Sequence, residues 1–276
     1  MSDNGQYLSG REYWNATIVM TPAVQSLHPA SSMTAPYKGS PLDITFMVPC
    51  YNHEATILET LATIYEAMGV VEKSYEILII DDGSQDRTVE LIREHIAQVP
   101  HLNVLLRINH KRKGDVQNYI DGAFSGSGKY YRMVYPDNSE AVETMVDILR
   151  ALGEADVVVP YYISMRQKGN GDKSVFGSYT VLFNLFSGHR ISRYDGLHVH
   201  LRYNVMRWRP VTMGAAFQAD LLCQLLDLGF TYKQVPCRAV PDRMPLSPYQ
   251  RTRAKLSIMH TLLELVIRRF SRKIHE

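Results

Sequence analysis

The tightest constraint on this chain is the stretch Tyr75 to Asp86, which reads Tyr-Glu-Ile-Leu-Ile-Ile-Asp-Asp-Gly-Ser-Gln-Asp. The apolar run Ile77 to Ile80 stops at two adjacent carboxylates. A short apolar run bounded by turn residues suits a strand buried on both faces. Open α/β sheets bind their ligands at the carboxyl ends of such strands. Asp81 and Asp82 fall at that end, Gly83-Ser84 supplies the turn, and Thr88 to His95 reads as the next helix.

The same alternation continues on both sides. Ile44 to Val48 is an apolar strand that ends in Pro49-Cys50-Tyr51-Asn52. From Glu54 to Ala67, apolar residues at 57, 58, 61, 64 and 65 keep helical spacing. A strand over Val104 to Arg107, a basic loop from Asn109 to Gly114 and a helix over Asp115 to Phe124 follow. Tyr130 to Tyr135 is a strand ending in Pro136-Asp137-Asn138-Ser139; Glu140 to Leu152 is a helix and Val157 to Val159 a strand. The pattern predicts an α/β fold, a mostly parallel central sheet with helices on both faces.

After Pro160 the rhythm changes. Gln167 to Lys173 reads as a mobile polar loop, and Val175 to Phe186 as an aromatic-rich helix suited to an acceptor groove. A strand near His198 to Leu201 comes next, then a helix over Gln218 to Leu228 that Gly229 closes in the left-handed conformation. Thr231 to Val240 is the final strand and Arg251 to Lys273 the last helix. Residues 1–40 show no sustained period and read as an N-terminal extension. The expected organisation is therefore 1–40 extension, 41–249 globular domain and 250–276 terminal helix.

Composition narrows the function. At 276 residues and 45% apolar content, the chain supports one large core better than two equal domains. Thirty Lys and Arg against 28 Asp and Glu leave a net charge of +2, which is no nucleic-acid signature. Cys50, Cys223 and Cys237 are scattered, and make neither a disulfide framework nor a close-spaced zinc site. That usage fits a reducing, cytoplasmic setting. The polar start lacks the apolar core of a signal peptide. No apolar run reaches the roughly 20 residues that cross a bilayer.

Two strand ends carry carboxylates, Asp81/Asp82 and Asp137. If their strands are parallel neighbours, both open on one edge of the sheet. A carboxylate facing a base or ribose accepts its hydrogen bonds. One facing a diphosphate needs a hard divalent cation between the like charges, held by oxygen ligands. Asp137 is the candidate for that role, with Asn138 or Ser139 assisting. The ordinary alternative for a lone Asp after a strand is a turn or a helix N-cap.

Val48-Pro49-Cys50-Tyr51-Asn52, followed by Ile80-Asp81-Asp82-Gly83-Ser84-Gln85-Asp86-Arg87-Thr88, resembles the opening of family 2 glycosyltransferases with the GT-A (nucleotide-diphospho-sugar transferase) fold. The likeness runs from about Ile44 to Tyr249. It implies that Pro49 and Tyr51 flank a nucleotide base, and that Asp81 and Asp82 bind base or ribose. His53 stands where many members carry Glu, with Glu54 next. The family's Asp-x-Asp metal motif aligns with Tyr135-Pro136-Asp137, so the resemblance implies Mg²⁺ or Mn²⁺ held by Asp137, helped by Ser139. The loop from His110 to Gly114 resembles the family's basic loop beside the nucleotide and puts Lys113, with Lys111 and Arg112, near phosphate charge. Asp242-Arg243, with Ser247 following, resembles a late element of polyprenyl-phosphate sugar transferases, in which the Arg approaches diphosphate or acceptor phosphate. Tyr194-Asp195-Gly196 sits near the family's acidic residue beside the acceptor, which makes Asp195 the candidate base.

The implied reaction moves a sugar from a UDP- or GDP-linked donor to a polyprenyl phosphate or a saccharide, with inversion. A competing reading is a non-catalytic nucleotide-sugar-binding relative, suggested by Tyr135 and His53. A nucleotidyltransferase fits less well, because Pro49 to Glu54 lacks a glycine-rich phosphate loop.

In the last helix Leu256, Met259, Leu263, Val266 and Phe270 recur at steps of three or four. Seven cations, Arg251, Arg253, Lys255, Arg268, Arg269, Arg272 and Lys273, face only Glu264 and Glu276 and leave the segment at +5. A basic amphipathic helix can lie on an anionic membrane as a peripheral contact. The alternative is a helix packed on the domain or in a homodimer, with its charges solvated.

Overall fold

A computed structural model describes residues 17–19, 42–163, 179–211, 213–238 and 248–275. The parallel half of the sheet consists of β2 (Leu42–Cys50), β3 (Tyr75–Asp81), β4 (Val104–Ile108) and β5 (Gly128–Met133). α1 (Ile57–Val71), α2 (Thr88–Gln98) and α3 (Asp115–Ser125) are the crossovers that join them. β2 lies in the middle, parallel to β3 on one edge and to β5 on the other, and β4 pairs beyond β3. The chain thus steps outward twice on one side and returns to the other. The strand order reverses between β2 and β5, and that reversal is where a crevice opens.

The second half comprises α4 (Val142–Arg150), β6 (Val157–Ile163), α5 (Thr180–Ser187), β7 (Val199–Leu201), α6 (Arg202–Arg207), α7 (Phe217–Asp227), β8 (Tyr232–Arg238) and α8 (Pro248–His275). With β1 (Thr17–Val19), the described strands form one eight-stranded sheet in the order β1-β4-β3-β2-β5-β7-β6-β8. β7 runs antiparallel between β5 and β6, with Tyr131 opposite His200 and Val158 opposite Val199. β6 and β8 are parallel. β1, within the segment read as a featureless extension, pairs antiparallel with β4, Ile18 opposite Arg107. α6 follows β7 without a turn residue, and the sequence pattern gave no sign of it. Gly229 closes α7 at φ +86°, as expected. The polar loop 167–173 lies outside the described residues.

Strand alternation divides the core into two layers. Met47, Leu78 and Ile80 face the layer of α3, α7 and α8, packing with Tyr119, Phe217, Leu222 and Ile258. Ile44, Phe46, Val48, Ile77 and Ile79 face α1, α2 and α4, packing with Leu61, Ile64, Ile92 and Ile148. Covering on both faces is why the strands read as unbroken apolar runs. Gly128 opens β5 because a Cβ there would lie 2.3 Å from the Thr45 backbone nitrogen. The largest buried charge is Arg132 on β5, which meets Glu140 in a two-pronged pair at 2.8 and 2.6 Å.

Candidate functional site

β2 and β5 pair only as far as Met47 and Met133, with a last bond from Val134 N–H to Met47 O at 2.9 Å. β2 runs on beside β3 to the pair Cys50–Asp81. The two chains therefore separate at the carboxyl edge of the sheet. Between them is a crevice of about 230 Å³ lined by Pro49, Cys50, Tyr51, His53, Asp82, Arg112, Asp115, Tyr135, Pro136 and Asp137. Pro49, Tyr51, His53, Asp82 and Asp137, singled out from the sequence, thus come together. Asp82 and Asp137, 55 positions apart in the chain, line the same cavity.

Left-handed turns shape the rim. Asn52, Gly83 and Asn138 have φ of 58°, 87° and 50°, a region that Gly and Asn tolerate best. Asn52 Oδ1 accepts Gln85 N–H at 2.8 Å, and Asn52 N–H donates to Ser84 Oγ at 3.0 Å. Asp81 is fully buried and does not line the crevice. Its Oδ2 accepts the Gly83 and Ser84 N–H groups at 3.1 and 3.0 Å, so it builds the turn. His53 Nδ1 accepts Tyr51 N–H at 3.3 Å, and His53 N–H donates to Thr88 Oγ1 at 2.8 Å. Glu54 Oε2 accepts Arg87 N–H at 2.9 Å and ties the loop to the start of α2.

Asp82 is the organising carboxylate. Oδ1 accepts Asn109 Nδ2 at 2.9 Å and Lys113 N–H at 2.8 Å; Oδ2 accepts Gly114 N–H at 2.8 Å. Burial alone would push this carboxyl up, but those donors outweigh it and hold it below the ordinary carboxylate range. The basic loop is thereby folded back over the crevice. Arg112 lies over the Tyr51 ring, 3.8 Å from its centroid, with Nε 3.9 Å from Asp82 Oδ2. Lys113 does not line the crevice: its backbone N–H braces Asp82, and its Nζ turns to Asp121 at 2.6 Å. Asp115, at the start of α3, lines the same wall. Loss of hydration within the crevice and then the Asp82 charge push its carboxyl up, against the pull of Arg112 and His53.

On the opposite wall Asp137 Oδ1 accepts Ser139 N–H at 3.1 Å. α1 holds this turn from behind. Thr56 Oγ1 donates to Pro136 O at 2.6 Å, Thr63 Oγ1 to Asn138 Oδ1 at 2.8 Å, and Asn138 N–H to Thr60 Oγ1 at 3.0 Å. The Asn138 side chain is thus committed to α1, and Ser139 does not line the crevice. Asp195 is also off the lining and pairs with Arg193 at 2.9 and 2.6 Å. Arg243 and Ser247 lie outside the described residues.

Sequence reasoning missed Asp115 and Cys50 as lining residues. Asp115 reads as an ordinary first-turn acid of a helix, and only the fold turns that helix start into the cavity. Among the described residues no three His, Cys, Asp or Glu side chains are grouped to hold a metal by themselves. The donors present suit a hard cation shared between the Asp137 carboxylate and ligand phosphate oxygens.

A family model described as Glycosyl transferase family 2 matches residues 45–210. The chain belongs to that family. An uncharacterised glycosyltransferase of Bacillus subtilis is 28% identical over 129 residues, 46% of this chain and 39% of that one. A dolichyl-phosphate beta-glucosyltransferase of Dictyostelium discoideum is 31% identical over 108 residues, 36% of this chain and 33% of that one. The chain thus spans well under half of the curated relatives it matches. Glucosyl-3-phosphoglycerate synthase of Mycobacterium tuberculosis, solved with UDP, superposes with a TM-score of 0.60 at 19% identity, covering 82% of this chain and 80% of that one. A Pyrobaculum calidifontis mannosyltransferase, solved with GDP-Man and Mn²⁺, gives 0.54 at 16% identity, covering 87% and 79%. The fold of this family 2 chain is GT-A, as its paired motifs imply.

Proposed function

We propose that this protein transfers a sugar from a nucleoside-diphosphate sugar to a polyprenyl phosphate, with inversion at the anomeric carbon. The observation that carries the reading is the shared crevice, with Asp82 on one wall and Asp137 on the other, at the point where the strand order reverses. The Pro49–Tyr51 floor and Asp82 form the nucleoside end. His53 shapes that floor through the Tyr51 N–H. Asp81 acts on the nucleotide only by holding the turn that carries Asp82. Arg112, stacked on Tyr51, is positioned to move aside and cover an entering base or to face its phosphates.

Asp137 marks the diphosphate end. Mg²⁺ or Mn²⁺ bound there would neutralise charge on the leaving diphosphate. Asp137 is the residue that would hold it, with Ser139 supporting the carboxylate through its N–H. In the transfer an acceptor oxygen attacks the anomeric carbon in line. The bond to the diphosphate breaks, and its electron pair leaves with the diphosphate. An acceptor phosphate is already anionic, so no base is needed; a saccharide hydroxyl would need one, and Asp195 is the residue assigned to it. Arg243 is assigned to the charge on diphosphate or acceptor phosphate. Curated relatives named as dolichyl-phosphate and undecaprenyl-phosphate transferases support the choice of a lipid phosphate.

The test is release of UDP or GDP from nucleotide sugars in the presence of Mn²⁺ or Mg²⁺ and a polyprenyl phosphate. Asp137→Ala is expected to lower turnover by at least about 100-fold, the scale of losing a main source of transition-state charge stabilisation. Turnover that survives this substitution intact removes Asp137 from the reaction.

A further inference from the structure

α8 has two apolar faces, and among the described residues only one of them is packed. Ala254, Ile258, Leu262 and Leu265 are buried against the domain. On the same side Arg269 pairs with Asp227 at 2.9 Å and Arg268 with Asp220 at 3.5 Å. The opposite side carries Leu256, Met259, Leu263 and Ile267, which are 67%, 51%, 57% and 48% exposed. Steps of three, four and four keep these on one stripe, about 16 Å long at the helical rise. The stripe read from the sequence included Leu256, Met259 and Leu263, and the structure turns those three outward. α5 touches α8 through Arg269 and the Ser187 carbonyl. It leaves Val181 and Leu185 72% and 70% exposed. Large exposed apolar patches with polar rims mark interaction sites.

Charge decides between occupants. Arg253 and Lys255 are exposed beside the stripe, and α5 carries no charged side chain. The single acid of α8, Glu264, lies 3.8 Å from His260. A second copy of this chain would bring the same cations to a two-fold contact, where like charges repel. An anionic, apolar partner suits both the stripe and its rim. No described helix is long and apolar enough to cross a membrane, so such a helix would lie on the surface.

We propose that the outer stripe of α8, flanked by Arg253 and Lys255, docks this protein on a bilayer with anionic headgroups. This deepens the lipid-phosphate reading by bringing the domain to the surface that carries such an acceptor. Its test needs no turnover, so the two readings can fail separately. Full-length protein is floated with phosphatidylcholine vesicles, with and without one-third phosphatidylglycerol, at about 0.1 M salt, where the Debye length is about 10 Å. The wild type is expected to float with the anionic vesicles and to stay behind with the neutral ones. Leu256→Glu combined with Leu263→Glu should lower the bound fraction at least tenfold with an unchanged melting temperature, since both positions are exposed. Arg253→Gln combined with Lys255→Gln should lower it severalfold, and salt should do the same. Val70→Glu, an exposed apolar position on α1 in the other layer, should float like the wild type. Wild-type protein that ignores anionic vesicles overturns the proposal, as does flotation untouched by the paired glutamates. A wild-type dimer that the same substitutions split into monomers would assign the stripe to a second copy instead.

Discussion

Asp82 holds its side chain where three N–H donors converge within 2.9 Å, and it is nearly buried while doing so. Hydrogen bonds to a charged group contribute about 1.5–3 kcal/mol each, and donors left unpaired cost a similar amount. Asp82→Ala should therefore destabilise the fold by about 3 kcal/mol and release the Lys113–Gly114 loop, removing nucleotide binding. Urea unfolding with an unchanged m-value would show it; a loss under about 0.5 kcal/mol would show that the loop is held otherwise. The position of this site was legible, because an apolar run that ends in two acids can only present them at the sheet edge. Their separate fates were not. Neighbouring strand residues point to opposite sides, and Asp81 turned to the Gly83–Ser84 turn while Asp82 turned to the crevice. Lys113 was likewise legible as a loop cation, but Asp121, which captures it, is eight residues away on a helix whose rotation depends on the core. The partner of Asp195 was closer to hand, since Arg193 is two residues before it.

At the scale of elements, the strands from β2 onward, β7 included, and the crossovers were readable from period and length; the antiparallel direction of β7 and the existence of β1 were not. β7 contributes three residues, Val199–Leu201, and its direction is dictated by the gap between β5 and β6 rather than by its own pattern. β1 has three residues, and its pairing comes from the free edge of β4. The Asp137 turn depends on a longer-range device. Arg132 on β5 is fully buried and is neutralised by Glu140, just before α4. The residues between them form the far wall of the crevice. Glu140→Ala leaves a buried guanidinium unpaired, which costs about 3–5 kcal/mol. Arg132→Met with Glu140→Leu removes both charges and should cost clearly less, because no charge is then stranded in the core. Urea midpoints of the three proteins test this. Equal losses in the single and double variants would mean that packing, not charge pairing, dominates there.

For the molecule as a whole, β7 sets an acid limit on stability. His198, just before β7, and His200, within it, are both fully buried. Burial, then repulsion from His200, pushes His198 down to about 3, with Asp195 opposing and Arg132 adding to the shift. Burial pushes His200 down to about 4, with Gln218 opposing. In the unfolded chain both titrate near 6.5. Between pH 6.5 and 4 the unfolded state therefore binds more protons, and stability falls as pH falls. Asp82, with its depressed carboxyl, acts lower: its contribution is complete above about pH 4 and is lost only below that. The fall between pH 6.5 and 4 thus includes the two histidines but not Asp82. Two protons correspond to about 2.7 kcal/mol per pH unit, or roughly 4 kcal/mol by pH 5. That is a large part of the 5–15 kcal/mol typical of a folded domain. His95 and His189 are also lowered by burial, so the contributions of His198 and His200 are isolated by difference. His198→Phe should reduce the slope of unfolding free energy against pH by about 1.4 kcal/mol per unit between pH 6 and 5, measured by urea titration at each pH. An unchanged slope would mean that water reaches these rings and that the β7 layer is not closed.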